Sequence, residues 1–177
     1  PLMTRFQKNR RLALAALMLA LALVLSWLEQ LISVLPFLPP GVKLGLSNIA
    51  VMYCLFCLGL PTAALVAFLK ALLVLLTRGV IAGLLSGAGA FCSLLVMFVL
   101  WRGRASYLLI SMLGAVFHNL GQLLAASLWL RFSFFSYYLP LMILSGLGMG
   151  FLTGLTLKVL MPALQRLSDE PPRNSVS

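Results

Sequence analysis

Acid is nearly missing from this sequence. Glu29, Asp169 and Glu170 are the three carboxylates among 177 residues, against thirteen lysines and arginines. Chemistry that holds Mg²⁺ on a phosphate or diphosphate needs clustered oxygen ligands and charge compensation. No aspartate-rich motif is present, so the chain is not expected to be an enzyme on its own. A GxxxxGK[ST] loop is also lacking, which places any ATP-driven step on another chain. His118 is the one histidine, and its neighbours in sequence are amides rather than acids, so a nucleophile–His–acid set has no material. The three cysteines offer neither a zinc set nor haem or iron–sulfur ligation. Cys54 and Cys57 form a CxxC inside the apolar stretch MYCLFCLGL and read as small buried hydrophobes. No cofactor and no metal is expected. Basic residues fall in ones and twos apart from an N-terminal cluster, with no aromatic-interleaved basic face, which argues against nucleic acid.

What the sequence has in quantity is apolar surface. Hydrophobic residues make up 62% of the chain and charged residues 9%, with a mean hydropathy of +1.09. A soluble domain of this length cannot hide that much. Apolar runs approaching the ~20 residues that cross a bilayer make lipid the solvent. The expected fold class is an all-α polytopic membrane protein, a bundle of six transmembrane helices.

The chain divides into a basic N-terminus (1–11), a six-helix transmembrane domain (12–161) and a polar tail (162–177) expected to be disordered. The first run, Leu12 to Leu35, is too long for a cleavable signal and lacks a small-residue cleavage site. Pro36, Pro39, Pro40 and Gly41 end it. A shorter second span is expected from about Leu44 to Leu60, and a tight turn at Gly59–Pro61 leads to a third, Thr62 to Arg78. Gly79, Gly83, Gly87 and Gly89 read as a glycine-rich connection into the fourth, which ends at Arg102–Gly103–Arg104. The fifth covers Ala105 to Leu130. An aromatic loop, Arg131 to Tyr138, precedes the sixth, Leu139 to Met161. With six crossings, Arg5, Lys8, Arg10, Arg11, Arg102, Arg104, Arg166 and Arg173 share one side, while Lys43, Arg78 and Arg131 share the other. The excess of basic residues on one side predicts cytoplasmic termini in a bacterial inner membrane.

Ionisable or amide side chains at membrane depth cost free energy and are functional candidates by default. Towards the outer side these are Glu29, Lys43, Asn48 and Arg78; deeper lie Lys70, His118, Asn119 and Gln122. His118 and Gln122 stand one turn apart, with Asn119 beside them, so the three are expected to form one stripe facing the bundle interior. Lys43 and Arg78 would suit an anionic ligand such as a phosphate or carboxylate; snorkelling to the interface is the plainer reading of both. Lys70 is too deep to snorkel easily, and Glu29 or a ligand is its expected partner. Small residues at spacings of four, Ala16-x-x-x-Ala20 and Gly146, Gly150 and Gly154, let helices approach closely, either within the bundle or against another membrane protein.

The segments PGVKLGLSNI (Pro40 to Ile49), LTRGVIAGLLSGAGAF (Leu76 to Phe91) and HNLGQLLAA (His118 to Ala126) resemble the Gx transporter family, also called heptaprenyl diphosphate synthase component I. That family is similar in turn to the substrate-binding S-components of energy-coupling-factor (ECF) vitamin transporters. The resemblance implies a six-helix S-component fold with an outward-opening pocket capped by the loop between spans one and two. Lys43, Asn48, Arg78, His118, Asn119 and Gln122 would line that pocket. It also implies a small-molecule ligand and a coupling membrane subunit with two ATPases, docked through small residues of the first helix, which Ala16 and Ala20 match. The competing reading is a non-catalytic membrane partner of an isoprenoid-pathway prenyl synthase.

Overall fold

The computed structural model of the chain describes residues 5–33, 45–130 and 135–168. Among these there is no strand. The helices are α1 (Arg5–Ser33), α2 (Asn48–Tyr53, running on into a π-helical turn, Cys54–Leu58), α3 (Leu60–Arg78), α4 (Val80–Arg102), α5 (Tyr107–Leu130) and α6 (Phe135–Ser168). Five are long and apolar enough to cross a membrane: Lys8–Glu29 within α1, all of α3 and α4, Tyr107–Trp129 within α5 and Leu139–Ala163 within α6. The chain is an all-α polytopic membrane protein.

The second expected span comes out shorter than Leu44 to Leu60. Gly45, at φ +73°, makes a turn in which its carbonyl accepts the Asn48 N–H, and the helix starts there. Asn48–Leu58 rises roughly 16 Å, about half a hydrocarbon core. Every residue in it is buried, so α2 is a core helix clothed by the others rather than a lipid-facing span. Its last turn widens because the Gly59 N–H reaches back five residues to the Cys54 carbonyl, and Gly59, at φ +93°, breaks the helix. The Leu58 carbonyl left at this end accepts from the Arg11 guanidinium at 3.2 Å and from the Thr62 hydroxyl at 3.4 Å.

Direction follows from these contacts and from the short connections. α1 and α2 run antiparallel, since Arg11 meets the end of α2 while Glu29 meets its start at Ser47. Gly59, Gly79 and the stretch 103–106 reverse the chain between α2, α3, α4 and α5. Arg5, Lys8, Arg10, Arg11, Arg102 and Arg104 therefore gather at one end of the bundle, and Arg78 lies at the other. α6 continues past Pro162 to Ser168, so the polar tail begins as helix; the tail beyond it, Lys43, the Pro36–Gly41 loop and Arg131 lie outside the described residues.

Glycine sets the spacing of the second half. A Cβ on Gly146 would stand 2.8 Å from Val116 Cα, one on Gly150 2.5 Å from Met112 Cα, and one on Gly154 2.9 Å from Ser111 Cβ. Gly146, Gly150 and Gly154 thus pack α6 against α5. Only Gly79 of the glycines expected to connect spans three and four is connection. Gly83, Gly87 and Gly89 are inside α4; Gly83 lies against Leu75, and Gly89 against the His118 carbonyl, where a Cβ would be 2.8 Å away.

Candidate functional site

Lys70 is buried by helix register. Ala63, Val66, Ala67, Lys70 and Val74 are the inward positions of α3, a three-to-four-residue repeat that carries the lysine into the core with its apolar neighbours. The matching stripe of α4 is Gly83, Ser86, Gly89, Ser93 and Met97. The start of α2 lies against α3. Lys70 Nζ donates to Ser47 Oγ at 2.7 Å, and the Ser47 backbone N–H donates to Glu29 Oε1 at 3.3 Å. Glu29 and Lys70 are each 4% exposed, so opposite charges from α1 and α3 converge on one serine, as buried charges require.

Beside this node is a small cavity bounded by Asn48, Val51, Ala67, Lys70, Ala90, Ser93 and Met97, with about 10 Å³ open to the centre of a water molecule, room for about one. Two of the lining residues carry a buried polar atom, Asn48 Nδ2 and Ser93 Oγ, that makes no hydrogen bond among the described residues. Nearly all buried polar groups are satisfied in folded proteins. An ammonium, an amide N–H and a hydroxyl around one space offer donors to an acceptor-bearing guest, such as a water or the oxygen of a carboxylate or phosphate.

The remaining sequence candidates disperse. His118 and Gln122 are together as expected, with Gln122 Nε2 3.2 Å from His118 Nε2; an amide nitrogen donates, so the ring nitrogen accepts. Both pack on α4 at Gly89, outside the cavity wall. Asn119 leaves the expected stripe. One residue further on, it is rotated about 100° around the helix, and its amide donates to the Met142 carbonyl at 3.1 Å and Ser145 Oγ at 3.4 Å, tying α5 to α6. Arg78 donates to the Ser26 carbonyl of α1 at 3.0 Å. Ala16 and Ala20 are exposed on α1, along a face that includes Leu17, Val24, Trp27 and Leu31. Of the proposed binding set, the structure unites Lys70 and Asn48. It adds Ser47, in the turn before α2, and Ser93, in α4, which the sequence did not single out, since a serine among apolar residues looks like any other small residue.

A family model described as heptaprenyl diphosphate synthase component I matches residues 18–160. The chain belongs to that family. The heptaprenyl diphosphate synthase component I match takes in about four-fifths of the chain and every candidate position except Ala16. No curated protein and no solved structure matches the chain. The family's description names one component of an assembly, and the helices supply its bilayer location.

Proposed function

We propose that this member of the family is a non-catalytic, ligand-binding membrane subunit, S-component-like, that takes up a small anionic or amphiphilic compound with energy from a separate ATPase module. The observation that carries the reading is the space lined by Lys70, Asn48 and Ser93, two of which hold a buried polar atom, Asn48 Nδ2 and Ser93 Oγ, without a partner among the described residues. As it stands the space admits about one water, so a larger guest requires the start of α2 to move away from α3 and α4. The absence of catalysis rests on the three carboxylates: Glu29 is committed to Ser47, and Asp169 and Glu170 are adjacent in the tail. Cytoplasmic termini in a bacterial inner membrane accord with the basic end of the bundle formed by α1 and the Arg102–Arg104 turn.

The test is to purify the tagged chain from its native membranes in mild detergent and identify by mass spectrometry what denaturation releases. A carboxylate- or phosphate-bearing compound is expected with the native chain, and is expected to be lost in Ser93→Val, which fills the cavity, and in Lys70→Ala. Equal recovery from both variants sinks the assignment of the site.

The family description favours a second reading, in which the chain is the membrane component of a polyprenyl diphosphate synthase. The same purification separates the two. A co-purifying coupling subunit with ATPases supports uptake, whereas a soluble prenyl synthase makes this chain the enzyme's membrane partner.

A further inference from the structure

Three contacts gather other helices around the last turn of α2. The Arg11 guanidinium of α1 donates to the Leu58 carbonyl at 3.2 Å, and the Tyr107 ring of α5 lies 5.0 Å from that of Phe56. Cys57 Sγ lies 4.0 Å from Met161 Sδ of α6. Arg102 and Arg104 stand at the turn that leads into Tyr107, and Lys158 precedes Met161 by less than one turn. Cations from α1, the α4–α5 turn and α6 therefore share one end of the bundle. Arg5, Lys8, Arg102, Arg104 and Lys158 are exposed there. Nothing described at this end balances them. Glu29 is the one carboxylate among the described residues, and it meets the opposite end of α2 at Ser47. Like charges gathered without acids attract a counter-anion.

Two features favour a lipid headgroup over an acidic protein. The first is depth. The crossing stretch of α1 begins at Lys8 and that of α4 ends at Arg102, so these cations stand where hydrocarbon gives way to headgroups. Lys158, inside the end of the α6 stretch, is within reach of that level through its long stem. The second is what adjoins each cation. Leu12 follows Arg11, Val99 precedes Arg102 by three residues and Val159 follows Lys158, and all three are exposed. A charge at the helix end above an apolar side chain matches a phosphate above acyl chains, whereas a water-soluble acidic surface leaves the apolar half uncovered. Arg102 is also held in place, with its guanidinium carbon 5.9 Å from the centre of the Phe98 ring.

We propose that this basic end is a binding surface for anionic phospholipid, with Arg5, Lys8, Arg102 and Arg104 engaging the headgroups and the adjoining apolar residues engaging the acyl chains. The surface depends on the membrane-spanning fold and not on the Lys70 cavity.

The experiment is native mass spectrometry of the purified full chain after incubation with equimolar phosphatidylglycerol and phosphatidylcholine of matched acyl chains. Roughly tenfold more phosphatidylglycerol is expected to stay on the chain, since each cation near an anionic surface favours it by about fivefold and salt screens part of the total. The preference should fall severalfold in Arg102→Gln/Arg104→Asn, asparagine being tolerated at the positive φ of position 104. It should fall likewise in Arg5→Gln/Lys8→Gln. Equal retention of the two lipids by the native chain overturns the surface, as does an undiminished preference in both double variants. So does loss of the preference on adding millimolar glycerol phosphate, which carries the headgroup charge without acyl chains. An acidic protein recovered from native membranes whose binding excludes phosphatidylglycerol assigns the charges to a protein partner and also overturns it. If one double variant does not fold, the other decides, because the two pairs lie on different elements.

Discussion

α4, α5 and α6 touch backbone to backbone, whereas α1 and α2 meet the rest of the bundle through side chains. In the first region glycines replace side chains at the contacts, and hydroxyl pairs such as Ser111 Oγ with Thr153 Oγ1 at 2.8 Å close what space is left. In the second, long polar side chains bridge the helices: Arg11 to Leu58, Glu29 and Lys70 to Ser47, Arg78 to Ser26. Lipid provides no hydrophobic drive for one helix to bind another, so close packing and hydrogen bonds must do it. Close packing has no alternative partner to offer, which makes the α4–α6 region a fixed wall. A hydrogen-bonded seam can exchange one acceptor for another, and the candidate site lies on that seam. On the proposed reading, the first region is the scaffold and the second is where a guest would be exchanged.

The harshest way to break the comparison is to give the wall a side chain. Gly150→Leu would place a Cβ 2.5 Å from Met112 Cα and 2.9 Å from the Ser111 carbonyl oxygen, and backbone cannot step aside as a flexible side chain can. A loss of about 4 kcal/mol or more is expected, beyond ordinary overpacking, read as failure to recover folded protein in detergent. Tolerance of leucine there would mean that α5 and α6 are as adaptable as the seam.

The seam should respond differently. Lys70→Met removes one charge and leaves Glu29 buried, at a cost of about 3 kcal/mol. Adding Glu29→Gln should return much of that loss, because the two residues share Ser47 and their effects cannot be independent. Reversible unfolding of the single and double variants reads this directly; strictly additive losses would show that the two charges do not sense each other. Asn119→Leu, on the wall side, loses two hydrogen bonds to α6 and should cost about 1 kcal/mol, with no change in the compound recovered with the chain.

These differences bear on what could be read from the sequence. The spans followed from composition, and Lys70 stood out because a charge at that depth needs a reason. Asn119 is grouped with His118 and Gln122 as one stripe because it stands beside a pair one turn apart, but the helix turns it onto α6. Ser93 gave no signal at all; its importance depends on which face of α4 meets α2, a tertiary fact. The half-length of α2 was equally hidden, since an apolar run buried in a bundle and one facing lipid have the same hydropathy.

The smallest expected effect is the sharpest check on the glycine argument. Gly148 stands midway between Gly146 and Gly150 in the same helix, yet a Cβ added to it meets nothing within 4 Å, and the residue is exposed. If glycine were present in α6 for flexibility or composition, Gly148→Ala and Gly150→Ala would behave alike. If it is present for close approach, they must differ in sign. Gly150→Ala drives a methyl into the Met112 backbone, whereas Gly148→Ala only removes backbone freedom from the unfolded chain, a gain of about 0.5 kcal/mol. Unfolding of the two alanine variants side by side measures that contrast. A destabilised Gly148→Ala would mean that the outer face of α6 is also in contact with something, and the fixed wall would then extend to a second protein.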